Sequence, residues 1–217
     1  LTMPLVSFAE NETAENSNND VMLINETENT SENLTEVPIE ENSTTTSEDT
    51  FKKSDVYLAG DDITIDYIVD GNLFVVANSV TINSQIGGDA FICANSITVG
   101  EQAYIFSNLF ACSNNITVNG VVYDLYSVSE TLTIDGYIYR DIRVGSNTIN
   151  IFGTVGRNAF IACDNINFLK NENQNTEDET TLSSQGLIAG NLNYLSKEEL
   201  SIPEGVVTGN VNFEQQV

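Results

Sequence analysis

The sequence predicts an all-β chain: a single-stranded parallel β-helix with three sides and roughly eight rungs. Three observations predict it. A segment of seventeen residues recurs, residues 71–87 returning with substitutions at 88–100 and again at 107–119. Aliphatic residues come in pairs spaced by two, the side-chain period of a strand. Asn, Asp and Gly punctuate the pairs at fixed positions, where a tight corner needs residues that bond their own backbone.

Each rung is anchored by its first inward aliphatic: Val56, Leu73, Ala90, Leu109, Leu125, Ile142, Ala159, Leu192 and Val211. Successive spacings are 17, 17, 19, 16, 17, 17, 33 and 19. Two positions after the anchor come Leu58, Val75, Ile92, Ala111, Val144 and Ile161, with Ser127 the one polar member. Seven after it come Ile63, Val80, Ile97, Ile116, Leu132, Ile149 and Ile166. Nine after it come Ile65, Ile82, Val99, Val118, Ile134, Ile151 and Phe168. Thirteen after it come Val69, Ile86, Val122, Ile138 and Val155. The preference for Val and Ile favours strand over helix, and the grouping predicts three short strands per rung. No rung can bury its inward face alone, so stability should grow through contacts between neighbouring rungs.

The corner before each anchor predicts a structural turn ladder of Asn72, Asp89, Asn108, Asp124, Asp141 and Asn158, with Asp55, Asn191 and Asn210 at its ends. A stacked Asn column can also share amide hydrogen bonds from rung to rung. A second corner carries Asp61, Asn78, Asn95, Asn114, Glu130, Asn147 and Asp164. Residues 170–185, polar and rich in Asn, Glu and Thr, read as a surface loop inserted into one rung.

Residues 54–217 are therefore expected to form the β-helix. Residues 10–50 hold twelve acids and no Lys or Arg. Such a stretch repels itself and lacks apolar surface to offset its ordering entropy, so 10–53 is expected to be a disordered spacer. Residues 1–9, apolar and ending in small residues, read as the end of a secretory signal and point to an exported protein. No run of about twenty apolar residues predicts a membrane span.

A net charge of −25 disfavours nucleic acid and anionic lipid as partners. With no histidine, any His-dependent catalytic triad is excluded. The acids sit where Asn replaces them from rung to rung, as corner geometry allows and catalysis does not, so no catalytic residue, cofactor or metal site is assigned. Calcium among Asp55, Asp61, Asp62, Asp66 and Asp70 would require acids from different corners to converge. Cys93 and Cys112 share one position on adjacent rungs and are expected to be free, partly buried thiols, with Cys163 reduced. Arg140 and Arg157 should pair with Asp124 and Asp141.

Two outward columns stand apart. Tyr57, Phe74, Phe91, Phe110 and Tyr126, then Arg143, then Phe160, form an aromatic stripe and a candidate contact surface. Thr64, Thr81, Thr98, Thr117 and Thr133 form a second. Such a flat Thr ladder can in principle bind ice, but the strand preference of Thr explains it more simply.

The runs at 61–66, 78–83 and 95–100, joined by Gly71-Asn-Leu-Phe and Gly88-Asp-Ala-Phe, resemble the polymer-forming, bactofilin-like repeat, as does 190–212. The resemblance spans about residues 55–213. It implies a right-handed, three-sided β-helix that assembles end to end into non-polar filaments without nucleotide and scaffolds the bacterial envelope. The secretory-looking start and the inserted loop depart from that pattern. They point to an exported ectodomain on the cell surface, anchored by flanking segments, with itself and other envelope proteins or glycans as partners. The competing expectation is a monomeric, adhesin-like surface-binding module.

Overall fold

A computed structural model describes residues 51–52, 54–170 and 185–216. The chain divides into two units, Leu1–Thr44 and Thr45–Val217. The first, with the expected signal remnant and most of the expected spacer, lies outside the described residues, as do 171–184 of the expected insertion.

The described chain is all-β without a helix, a parallel solenoid of about nine turns, one more than the repeat count suggests. Its strands are β1 (Phe51–Lys52), β2 (Val56–Ile65), β3 (Ile68–Val69), β4 (Leu73–Ile82), β5 (Gln85–Ile86), β6 (Ala90–Val99), β7 (Tyr104–Val118) and β8 (Val121–Ile134). They continue with β9 (Tyr137–Ile138), β10 (Ile142–Ile151), β11 (Thr154–Val155), β12 (Ala159–Asn167), β13 (Leu187–Ile188), β14 (Leu192–Ser196) and β15 (Val211–Gln215). β1 pairs in parallel with β3, so the ladder starts before residue 54, the expected boundary.

All nine anchors lie opposite one another, Val56 on Leu73, Leu73 on Ala90, and so on to Leu192 on Val211. The step of thirty-three residues, Ala159 to Leu192, is one rung. Its extra residues leave between Leu169 and Gln185, which form an antiparallel bridge, while Gly186 N–H donates to Phe168 O at 2.8 Å. That bridge closes the base of the insertion, so the rungs on either side stack as if it were absent.

Where three short strands per rung are expected, most rungs have two, and β7 and β8 merge the third side of one rung with the next. A ten-residue strand such as β4 runs through the second corner, and a two-residue strand such as β5 closes the turn. The inward phase changes at that corner: Leu73, Val75 and Ala77 point inward before it, Val80 and Ile82 after it. The bend takes too few residues to break the strand, yet it still separates two faces.

The inward columns form one core, including the fully buried Ile65, Leu73, Ile82, Leu125 and Ile134. Each such side chain contributes about 1.5–3 kcal/mol. The thirteenth-position column also contains Ile105 and Ile188, which sequence periodicity misses. Glu101 and Gln102 bulge out at a corner and push Ile105 two positions later, where it still meets Ile86 and Val122.

A small-residue column fills the inside of the second corner: Ala77, Ala94, Ser113, Ser129, Ser146 and Cys163. Ser113 and Ser146 donate their hydroxyls to nearby backbone carbonyls, which meets their hydrogen-bonding need inside the bend.

Ser127 points inward between Ala111 and Val144, and its buried Oγ lacks a hydrogen-bond partner. Its register is that of the column, so the polar residue is a real defect of this rung. Leaving a buried hydroxyl unsatisfied costs about 1–3 kcal/mol. Ser127→Val, which matches its neighbours in shape, is expected to raise stability by about 1 kcal/mol in urea denaturation followed by circular dichroism.

Candidate functional site

The corner before each anchor shares side-chain amides from rung to rung as expected, and also makes a bond to the backbone. The Oδ1 atom of one residue accepts the backbone N–H of its counterpart on the next rung. Asn72 N–H donates to Asp55 at 2.8 Å, Asp89 N–H to Asn72 at 2.8 Å and Asn108 N–H to Asp89 at 3.0 Å. Farther along, Asp141 N–H donates to Asp124 at 2.9 Å, Asn158 N–H to Asp141 at 2.9 Å and Asn191 N–H to Asn158 at 3.1 Å. Asp and Asn share that acceptor oxygen, which explains their interchange along the column. The shared amide bonds include that from Asn108 Nδ2 to Asp89 at 2.9 Å. Among the described residues the series breaks once, between Asn108 and Asp124, where the rung is one residue shorter than usual. At the second corner, by contrast, the bonds are between side chains: Asn95 Nδ2 donates to Asn78 at 2.6 Å and Asn114 Nδ2 to Asn95 at 3.4 Å.

Asp124 and Asp141 are buried, 2 % and 5 % exposed, although they sit at a corner. The chain's three arginines gather around them. Arg140 pairs with Asp124 at 3.1 Å, while Arg143 and Arg157 approach Asp141 at 3.6 and 3.9 Å. Burial pushes the Asp141 carboxyl up. The Asn158 backbone N–H, Arg157, the Asn158 amide and Arg143 outweigh it and hold the carboxyl below the usual range. Asp89 follows the same logic, burial being outweighed by the Ser107 hydroxyl and the backbone and side-chain N–H groups of Asn108.

Both carboxyls therefore have lower pKa values folded than unfolded. The stability they contribute is present above the unfolded value of about 3.9 and is lost as pH falls through the folded values. Between pH 5 and pH 2.5 the wild type is expected to lose more stability than D89N/D141N, as measured by thermal melts across that range.

The expected contact surface is assembled as a column. Tyr57, Phe74, Phe91 and Phe110 stack ring on ring with centroids 4.7, 4.9 and 4.8 Å apart and planes within 5°. Tyr126 follows at 4.9 Å, tilted by 19°. Arg143 then takes the place of a ring, its guanidinium 5.5 Å from the Tyr126 centroid and 5.0 Å from that of Phe160. The column is thus continuous through a cation–π contact on each side of Arg143. Ring faces inside the stack are covered by their neighbours, so it presents ring edges to solvent. Tyr57, the last ring of the stack among the described residues, is 70 % exposed.

Beside the rings runs a second apolar column that the sequence reading passes over: Ala59, Val76, Cys93, Cys112 and Val128. Together they floor an open apolar trough of about 820 Å³ that ends at Arg143. Cys93 and Cys112 are free and exposed there, which corrects the expectation of partly buried thiols. Burial, with a smaller contribution from Cys112, still pushes the Cys93 thiol up. Cys163 is free and buried among the corner serines, its thiol pushed up to about 11 by burial and then by the charge of Asp164.

The third face carries a tyrosine cluster that the sequence reading also misses. Tyr123 and Tyr139 stack at 5.1 Å, Tyr137 meets Tyr139 edge-on, and Arg140 lies over Tyr123 at 5.1 Å. The Thr column is in register as expected and is continued by Asn150, which donates to Thr133 Oγ1 at 3.1 Å. Among the described residues no group of three or more Cys, Asp or Glu side chains is placed to hold a metal ion, the first-rung acids included. No described helix is long and apolar enough to cross a membrane.

No family model, curated protein or solved structure matches the chain.

Proposed function

We propose that this chain is a structural, self-assembling element whose rungs are built to be extended by further rungs. The observation that carries this reading is the edge of β2. Among the described residues this ten-residue strand pairs only with β4, and its Tyr57 is the last ring of the stack. β15 likewise pairs only with β14. A long strand edge with free N–H and C=O groups templates another strand. Every rung also presents the same corner acceptor, so an added rung would find its hydrogen-bond partners in place.

A non-catalytic role fits the use of the acids: Asp55, Asp89, Asp124 and Asp141 serve as backbone acceptors. An envelope location rests on the sequence of residues 1–50 and on the bactofilin-like resemblance. Electron microscopy over a range of protein and salt concentrations tests the reading. Filaments are expected, more readily at high salt, where a net charge of −25 is screened. Val56 N–H bonds to Asn72 O on the β4 side, so strand alternation aims Tyr57 N–H at the opposite edge, which has no partner among the described residues. Tyr57→Pro should remove that edge donor and abolish filaments while preserving the β-sheet circular dichroism. Single short particles under all conditions would favour the monomeric surface-binding reading instead.

A further inference from the structure

Among the described residues, Cys93 and Cys112 are the one pair of sulfur-bearing side chains that the ladder sets side by side. Both are free and exposed, and both open into the apolar trough. Phe91 and Phe110, two residues earlier on the same strands, show the side-chain spacing there: their rings lie 4.8 Å apart with planes 5° from parallel. The cysteine column continues to Val76 on one side and Val128 on the other. Along the strands the outward neighbours are the two rings and the uncharged amides Asn95 and Asn114. Among the described residues no third Cys, Asp or Glu joins the two thiols in a metal-holding group.

From this geometry we infer that the pair is a binding site for one soft, two-coordinate metal ion, of the Hg(II) or Cu(I) kind, held in line between the two sulfurs. A disulfide suits the pair poorly. It needs Cβ atoms about 3.8 Å apart and sulfurs about 2 Å apart, whereas side chains on adjacent rungs repeat at about 4.8 Å. Two in-line bonds of about 2.3 Å, the length from zinc to a thiolate, span about 4.6 Å, so an ion fits the gap that a disulfide would have to close. Zinc itself takes four ligands and an iron–sulfur cluster four thiolates, and two thiols serve neither. Thiolates select soft ions, and an apolar floor offers no oxygen to a hard one.

On binding, each S–H gives its proton to solvent and two metal–sulfur bonds form, with no change of oxidation state. Hg(II) then leaves a neutral bis-thiolate and Cu(I) one of single negative charge, so the apolar trough favours the divalent ion. The net charge of −25 draws either cation toward the chain. Closing the second bond within one chain should raise retention by about a hundredfold or more over either thiol alone. The site lies on a side of the solenoid and is independent of any association through β2.

The test uses the full chain, reduced and kept from air, titrated with Hg(II) and separately with Cu(I) in excess glutathione, a monothiol. The wild type is expected to retain one ion per chain, with X-ray absorption reporting two sulfur neighbours and no third. C163S is expected to match it, and Zn(II) is expected not to be retained. C93V and C112V, which extend the column of Val76 and Val128, should keep the circular dichroism and give the ion up to glutathione. Retention of Hg(II) alone fits a site that prefers a neutral complex, and retention of both ions fits the in-line geometry equally. A single-thiol variant that holds the ion as tightly as the wild type overturns the inference. So does a wild type that loses both ions to glutathione, a shell of three or more sulfurs, or an ion shared between two chains. A Cys93–Cys112 disulfide formed with diamide that glutathione leaves intact overturns the geometry on which the site depends.

Discussion

Gly153→Ala is expected to destabilise the solenoid by about 3 kcal/mol, a large effect for one methyl group. Gly120, Gly136, Gly153 and Gly186 stack on one corner, where each rung passes close over the carbonyls of the rung before. A Cβ built on Gly153 would overlap Gly136 O and Asp135 O, both backbone atoms held in the ladder. Relief requires the rungs to separate there, yet Thr154 N–H is bonded to Gly136 O at 3.0 Å. Gly145→Ala serves as the control. Its Cβ would meet nothing within 4 Å, so its cost is expected to stay below about 1 kcal/mol. Urea denaturation of the two variants beside the wild type measures the difference. Equal effects would mean that the glycine column is incidental to rung spacing.

The second large effect is expected at Asp141. Asp141→Ala removes the acceptor of the Asn158 backbone N–H and leaves Arg157 and Arg143 without their shared carboxylate. Leaving the part-buried Asn158 N–H unsatisfied costs about 1–3 kcal/mol, to which the half-exposed arginines add little, so about 2–3 kcal/mol is expected. Asp141→Asn keeps the oxygen that accepts the N–H and gives up only the charge, so about 1 kcal/mol is expected. The ratio matters more than either value. If Asn and Ala are equally damaging, the corner works through charge, and the Asp/Asn interchange along the column needs another cause.

The inward architecture was legible because it depends on residue class alone. An aliphatic at the anchor position serves whether it is Val56, Ala90 or Ile142, and a period of seventeen survives such changes. Ile105 escaped notice because Glu101 and Gln102 lengthen one corner, and a fixed offset cannot follow a bulge that backbone pairing absorbs. The glycine column was hidden among turn residues. Asn, Asp and Gly all punctuate a chain, but only a backbone carbonyl pressed against Gly153 tells a required glycine from an optional one.

The surface was harder to read for a different reason. Outward positions are not selected for one residue type, so Ala59, Val76, Cys93, Cys112 and Val128 share only the absence of charge. Their common direction emerges once the rungs are in register. The aromatic stripe was visible because its members are alike. Its geometry changes its meaning: rings that cover one another's faces stabilise the stack first and offer edges to a partner second. The corner ladder shows the same limit. Alternating Asn and Asp marked a turn, but the bond from Oδ1 to the next backbone N–H is a property of the stacked fold.

The solenoid requires rungs that superpose in order, and spin-label distances read this directly. Pairs of labelled cysteines along the outward Thr column, in a chain lacking Cys93, Cys112 and Cys163, can be placed one to six rungs apart between Thr64 and Asn167. Double electron–electron resonance and continuous-wave spectra should give separations that rise by about 4.8 Å per rung. Labels at Phe160 and Asn193, thirty-three residues apart in sequence, should read as one rung. Separations that fail to scale with rung number, or a Phe160–Asn193 distance of two rungs or more, would contradict the stack.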